Sequence, residues 1–260
     1  MNNLSQMLND NQFNAVYNML SLGLASMLFT SLFLFVSRDR VLPRYRMAVT
    51  VSGIVTAIAA YHYFRIFDSF NHAFAGPANN PYAYNVGYRY VDWLLTVPLL
   101  LVETVAVLAI GRMAQQKLLR ALVPAATAMI VLGYPGDARL DLFGISAPVW
   151  GALSTIPFLY ILYILFVELG KSLERQSDQV RATVKNLRIL LIATWGVYPI
   201  TFILAMNATG FDPAALVSRE IGYSIADVLA KCAYGLLIFK IARMKSAEDS
   251  KEFAESEFRD

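Results

Sequence analysis

Charge is scarce in this sequence. Of its 260 residues only 16% are Asp, Glu, Lys or Arg, whereas 57% are hydrophobic. Soluble domains carry roughly 25% charged residues. Mean hydropathy is positive, at +0.48. A chain so short of charge argues against an ordinary water-exposed domain and for a membrane protein. The formal net charge is only +3, and no basic, aromatic-interleaved patch appears, so no nucleic-acid partner is expected. Cysteine is rarer still. The single Cys232 excludes an intrachain disulfide. In an apolar helix beside Lys231, it reads as a small packing residue. Two histidines are too few for a metal-ligand cluster, and neither G-x-S-x-G nor H-E-x-x-H occurs. Neither a metal site nor an enzyme is expected. The opening MNNLSQMLNDNQFNAVYN has no Lys, no Arg and no A-x-A site, so no cleaved signal peptide is expected.

Long runs without formal charge are what the sequence does have: 13–36, 47–64, 121–136, 142–167 and 189–211. A spanning helix needs about 20 mostly apolar residues. Two further apolar segments carry charges: 84–110, with Arg89, Asp92 and Glu103, and 213–241, with Arg219, Glu220, Asp227, Lys231 and Lys240. Together they predict an all-α, seven-helix transmembrane bundle. The helices run at about 11–37, 44–69, 84–110, 116–136, 146–173, 180–208 and 213–243. The fourth is expected to be the shortest. Most basic residues fall after the first, third, fifth and seventh helices, for example Arg38, Arg40, Arg44, Arg112, Lys171, Arg181, Lys185, Arg188 and Lys245. By the positive-inside rule the N-terminus is outside and the C-terminus cytoplasmic. Three regions follow: a polar extracellular start (1–10), the bundle (11–245) and a charged tail (246–260) that reads as disordered. The loop 71–83, rich in Gly, Pro and Asn, is long enough for a small hairpin.

Charges near the middle of a bilayer cost roughly 2.5–3.5 kcal/mol on insertion scales and so mark function. Four fall there: Asp92 and Glu103 on the third helix, Asp227 and Lys231 on the seventh. Asp227 and Lys231 are four apart and share a face. They suit either an ion pair between helices or an amine that condenses with an aldehyde beside a balancing carboxylate. Asp92, Thr96 and Glu103 stand at i, i+4 and i+11, again on one face. Glu103 then lies about 16 Å nearer the cytoplasm than Asp92. Two carboxyls stacked along one stripe suggest a proton relay. The apolar setting of Glu103, LLLVETVAV, favours the neutral acid. His62 lies near the depth of Asp92, as a core histidine or as its partner. Arg89, one turn outward, is either an interfacial anchor or a charge that stabilises Asp92 and Asp227. Trp93, Trp195, Tyr198 and Pro199 are either core residues or the walls of a slot for a flat ligand.

RYVDWLLTVPLLLVE (Arg89 to Glu103), WGVYP (Trp195 to Pro199) and DVLAK (Asp227 to Lys231) come in that order on the third, sixth and seventh helices. In this the chain resembles the microbial rhodopsins from about residue 11 to 245. The resemblance implies all-trans retinal held on Lys231 as a protonated Schiff base, with Asp92 and Asp227 as counter-ions. It implies Asp92 as proton acceptor, Glu103 as donor and His62 as the partner of Asp92. The triplet Asp92, Thr96 and Glu103 is similar to that of proteorhodopsin-like outward proton pumps. YHYFRIF, YPGD and STIPF resemble the xanthorhodopsin and Gloeobacter branch. The matched pocket adds Leu100, Met129, Gly133 and Tyr223, and Leu100 implies green absorption.

Gly151 follows Trp150 where many relatives place a second tryptophan. In relatives with this glycine the gap is a fenestration for a carotenoid antenna; a glycine that merely eases helix packing is the alternative. The resemblance further implies a multi-pass protein of the bacterial inner membrane, moving protons amid lipid, and a homo-oligomer (pentamer or trimer). No outer glutamate pair marks a release group, although Asp137, Asp141, Asp212 and Glu220 are available. A photosensory rhodopsin signalling through a partner protein is the rival on the same fold. A pigment-free transporter, with Lys231 and Asp227 as a plain ion pair, is the rival without retinal.

Overall fold

The computed structural model describes residues 8–75, 80–174, 176–206 and 211–258. Among these, seven long helical segments form one bundle. They are α1 (Asp10–Ser37), α2 (Pro43–Phe74), α3 (Gly87–Val107), α4 (Arg112–Asp137), α5 (147–173), α6 (178–206) and α7 (213–249). Local chemistry sets their starts. The Asn9 side chain accepts from the Gln12 amide while the Gln12 side chain accepts from the Asn9 amide, which closes a capping box on α1. Proline opens α2, where its missing N–H is no loss. Ser177 caps α6, and Asp212 accepts from the amides of Ala214 and Ala215 to cap α7.

Three helices depart from regularity. α5 widens to i→i+5 bonding over Ile164–Glu168. α6 breaks between Trp195 and Val197, at Gly196. α7 widens over Val228–Ala233, the stretch that carries Lys231. Such wide turns re-aim side chains and gather at functional sites. Prolines 98, 124, 135 and 157 sit inside helices. Within a membrane their freed carbonyls can be satisfied by neighbouring side chains.

The bundle is apolar outside and polar within. Phe29, Val36, Ile156 and Ile189 are at least 64% exposed, while Asp92, Glu103, Asp227 and Lys231 are at most 2% exposed. Water would penalise the first set, and lipid would penalise the second if they faced it. Among the described residues, six helices are long and apolar enough to cross a membrane. The seventh, α7, is the one carrying Arg219, Glu220, Asp227 and Lys231. α1 packs on α2, α2 on α3, α3 on α4 and α4 on α5, and α7 closes the ring against α1, α2 and α6. α5 and α6 touch only thinly.

Several boundaries differ from expectation. α4, with 26 residues, is not the shortest; α3, with 21, is. Arg112 to Arg120 form its first turns, because charged residues extend a helix into the interface as readily as apolar ones. α2 runs on to Phe74, and Pro81–Ala83 forms a single 3-10 turn, so those parts of the expected hairpin are helical. The rest of that loop, 76–79, lies outside the described residues. Over its described residues, up to 258, the tail is largely helical rather than disordered. α7 continues to Asp249, where Asp249 accepts from Arg44 and Tyr45, and α8 (Lys251–Phe258) follows.

One close packing sets up the site. Gly23 of α1 faces Tyr63 of α2 so tightly that a Cβ there would lie 2.3 Å from the Tyr63 ring. Gly23→Val therefore overpacks the core and is expected to cost about 1–3 kcal/mol. Circular dichroism melting in detergent reads this as a lower midpoint. An unchanged midpoint would mean that Tyr63 is free to move aside.

Candidate functional site: a buried lysine between two unequal carboxylates

Lys231 is 2% exposed. Its Nζ donates to Asp92 Oδ2 at 2.7 Å and to Asp227 Oδ1 at 2.8 Å. α3 supplies the first carboxylate and α7 the second, so the amine ties the two helices together. The carboxylates are solvated very differently. Asp227 also accepts from Tyr63 at 3.0 Å, Trp93 at 3.2 Å and Tyr198 at 2.7 Å, and Arg89 lies 3.4 Å from its Oδ2. Asp92 accepts only from the lysine, and its buried Oδ1 has no hydrogen-bond partner among the described residues. A carboxylate with four or five donors is fixed as an anion; one with a vacant oxygen is poorly compensated.

The other predicted residues fall around this centre with some corrections. His62 is buried near Asp92, with Nδ1 3.9 Å from Asp92 Oδ1. That nitrogen lies 2.9 Å from the carbonyl of Ile58, one turn earlier in α2. His62 and Asp92 are thus neighbours without a direct hydrogen bond. Arg89 does not reach Asp92. It bridges Asp227 and Glu220, meeting Glu220 Oε2 at 2.5 Å, and lies over the rings of Tyr63 and Tyr223. Its position one turn outward of Asp92 aims it toward α7 instead. Thr96 turns its hydroxyl to the Asp92 carbonyl at 2.8 Å, a bond within the helix and not one to the carboxylate. Glu103 is fully buried, and neither of its oxygens has a partner among the described residues. Such burial is tolerable for a neutral acid and costly for an anion.

Sequence reasoning missed Tyr63 as a ligand of Asp227 and Tyr84, whose hydroxyl donates to Glu220 at 2.7 Å. It left Glu220 unassigned, although Glu220 joins Arg89, Arg219 and Tyr84 in one network. The only signal for Tyr63 was its place beside His62.

Beyond the lysine lies a cavity of about 320 Å³. Every predicted pocket residue lines it: Trp93 and Leu100 from α3, Met129 and Gly133 from α4, Gly151 from α5, Trp195, Tyr198 and Pro199 from α6, and Tyr223 from α7. Tyr90, Ser154, Phe158 and Phe202 line it as well. An apolar chamber that ends on a buried primary amine suits an apolar aldehyde. Its side wall is weak where α5 and α6 separate, for Pro148, Ala152, Thr155, Pro199 and Ile203 both line the cavity and face outward. At Gly151 that wall is not bare. The Phe202 ring lies over it, and a Cβ on Gly151 would come within 2.6 Å of that ring.

Comparison with known proteins agrees with this geometry. The model of the family described as "bacteriorhodopsin-like protein" matches residues 14–244. The chain belongs to this family. It is a microbial rhodopsin of the xanthorhodopsin and proteorhodopsin type, hence of a family of light-driven ion transporters and not of enzymes. It is 31% identical over 229 residues to the green-light absorbing proteorhodopsin of Gamma-proteobacterium EBAC31A08, covering 86% of this chain and 84% of that one. The crystal structure of xanthorhodopsin, described as a light-driven ion pump with dual chromophore, superposes with a TM-score of 0.86 at 44% identity. That match covers 93% of this chain and 97% of the other. A thermophilic rhodopsin superposes with a TM-score of 0.88 at 41% identity over 94% and 98%.

In this rhodopsin the loss of Asp227 leaves Lys231 with Asp92 and Arg89 with Glu220 as their remaining carboxylates, each buried cation half-matched. Asp227→Ala should cost about 3–5 kcal/mol, as for other broken buried ion pairs. Tyr63→Phe removes one neutral donor and should cost about 1–1.5 kcal/mol. Thermal midpoints of the two variants check this order, and a smaller loss for Asp227→Ala would contradict it.

Proposed function

We propose that the chain is an outward proton pump driven by light, with all-trans retinal on Lys231, Asp92 as proton acceptor and Glu103 as proton donor. The observation that carries the reading is the unequal solvation of the two carboxylates on Lys231 Nζ. The residues present fit the pigment: an apolar, aromatic-walled cavity opens onto the one buried lysine among those that line it. When bound, retinal supplies visible-light absorption and a light-driven change of shape beside the lysine nitrogen. The chain's own groups then divide the proton work. Asp92, with a vacant Oδ1, takes a proton from Nζ. Asp227 keeps its tyrosine, tryptophan and arginine donors and stays charged. Glu103, about three turns further along α3, holds a proton in apolar surroundings and returns it to Nζ. With the acceptor on the outer side of the lysine and the donor on the inner side, transport runs outward. His62 lies close enough to tune the unpartnered Oδ1 of Asp92. Each proton moves against about 2.3 kcal/mol per 100 mV. The family likeness also favours placement in a bacterial inner membrane and assembly as a homo-oligomer, pentameric or trimeric.

Illuminated, unbuffered suspensions of retinal-fed cells should acidify, and a protonophore should abolish the change. Asp92→Asn should remove it. Alkalinisation by the parent protein would reverse the assigned direction. Glu103→Gln should slow turnover by about tenfold or more, the scale of a lost proton-transfer group. It should also make turnover proportional to the proton concentration on the cytoplasmic side, because protons then come from that bulk. A rate independent of pH in that variant would remove Glu103 from the donor role.

The gap between α5 and α6 supports a second pigment, a carotenoid lying over Phe202 and Gly151. Gly151→Trp drives an indole into the Phe202 ring and should abolish carotenoid-sensitised pumping while sparing pumping under direct retinal excitation. Equal action spectra for parent and variant, both showing a carotenoid band, would refute this placement.

A further inference from the structure

A second chamber, of about 330 Å³, lies between the basic ends of α5 and α6, lined by Gly170, Leu173, Glu174, Arg181, Lys185 and Arg188. The three basic residues stand at i, i+4 and i+7 of α6, which puts them on one face. They are not equivalent. Arg181 is occupied: it donates to the carbonyls of Leu173, Glu174 and Gln176 and pairs with Asp178 at 3.3 Å. Arg188 is 8% exposed, yet its Nε and Nη2 have no hydrogen-bond partner among the described residues. Its guanidinium lies 5.5 Å from the centre of the Phe166 ring. Gly170 leaves its flank open, since even a Cβ there would stay 3.9 Å from Nη1. Lys185 is exposed at the mouth.

A guanidinium buried with unfilled donors is costly. Elsewhere in this bundle Arg89 and Lys231 each meet two carboxylates. Arg188 meets a vacant chamber. Its planar fork matches the oxygens of a phosphate, and Lys185 adds a second charge at the same mouth. Glu174 also lines the chamber; it is exposed, where water screens it.

We propose that this cleft binds the phosphate headgroup of an anionic phospholipid of the cytoplasmic leaflet. Two observations favour a lipid over a free anion. Arg188 lies ten residues, about 15 Å, along α6 from its start, below the level of Lys185. The walls beside it are apolar and outward-facing: Phe166 is 41%, Val167 40%, Ile189 64% and Ile192 38% exposed. Acyl chains can lie on that wall while the headgroup enters the cleft. Basic pockets between helices on the cytoplasmic side are suited to such headgroups.

The test uses the full chain loaded with retinal, in mild detergent, titrated with phosphatidylglycerol or phosphatidylcholine of matched chains and read by native mass spectrometry. The parent should bind phosphatidylglycerol in preference. Arg188→Gln and Lys185→Gln should each weaken it about tenfold, the scale of one charge-assisted contact. Arg120→Gln, a change at an exposed arginine on α4, should leave it unchanged. Lys185 is exposed, so its variant keeps the test sound if Arg188→Gln fails to fold. Equal binding of the two lipids, or unchanged binding in both cleft variants, overturns the proposal. Displacement of phosphatidylglycerol by millimolar inorganic phosphate overturns it in favour of a free-anion site.

Discussion

A lysine ammonium buried between two carboxylates is the constraint on which the rest of this bundle depends. Such a charge is stable only if fully matched. Around it three cations, Lys231, Arg89 and Arg219, meet three anions, Asp92, Asp227 and Glu220, with tyrosine and tryptophan donors adding hydrogen bonds to Asp227 and Glu220. The network ties α3 to α7 and draws in Tyr63 from α2 and Tyr198 from α6. The wide turn of α7 at Val228–Ala233 aims the lysine inward. Gly23 makes room for the Tyr63 ring, so a packing detail on α1 reaches the electrostatics of the centre.

The matching is uneven, and the unevenness is where function enters. A centre with every lone pair filled would be a structural ion pair and nothing more. Asp227 approaches that condition, and Asp92 does not. Glu103 is a third case, a carboxyl sealed in the apolar half of α3 with no partner among the described residues. Three carboxyls on two helices thus occupy three environments: an anion held by many donors, an anion held by one, and a group for which only the neutral form is comfortable. In the proposed cycle, that gradient along one axis gives a proton its direction.

Much of this was legible in the sequence, because a membrane makes buried charge conspicuous. Asp92, Glu103, Asp227 and Lys231 stood out against apolar runs, and their spacing set their faces. The tryptophans of the cavity, Trp93 and Trp195, followed from two short strings. What was not legible depends on contacts between distant helices. Whether Arg89 turns toward Asp92 or toward Asp227 and Glu220 is decided by the rotation of α3 against α7, which no local pattern encodes. Tyr63 as a ligand of Asp227 depends on Gly23, forty residues away. The glycine at 151 predicted a gap, but the ring that lies over it comes from Phe202 on another helix. The length of α4 and the helical tail were misjudged for a simpler reason: charged residues in good helix-forming company extend helices beyond the apolar core.

The central claim is that Asp92, and not Asp227, receives the proton. Light-minus-dark infrared difference spectroscopy of the retinal-loaded protein tests it most directly, through the carbonyl stretch of a newly protonated carboxylic acid. The arrangement described here predicts a light-induced band that shifts in D2O, disappears in Asp92→Asn and moves in Asp92→Glu. A band that persists in Asp92→Asn but is lost in Asp227→Asn would contradict it.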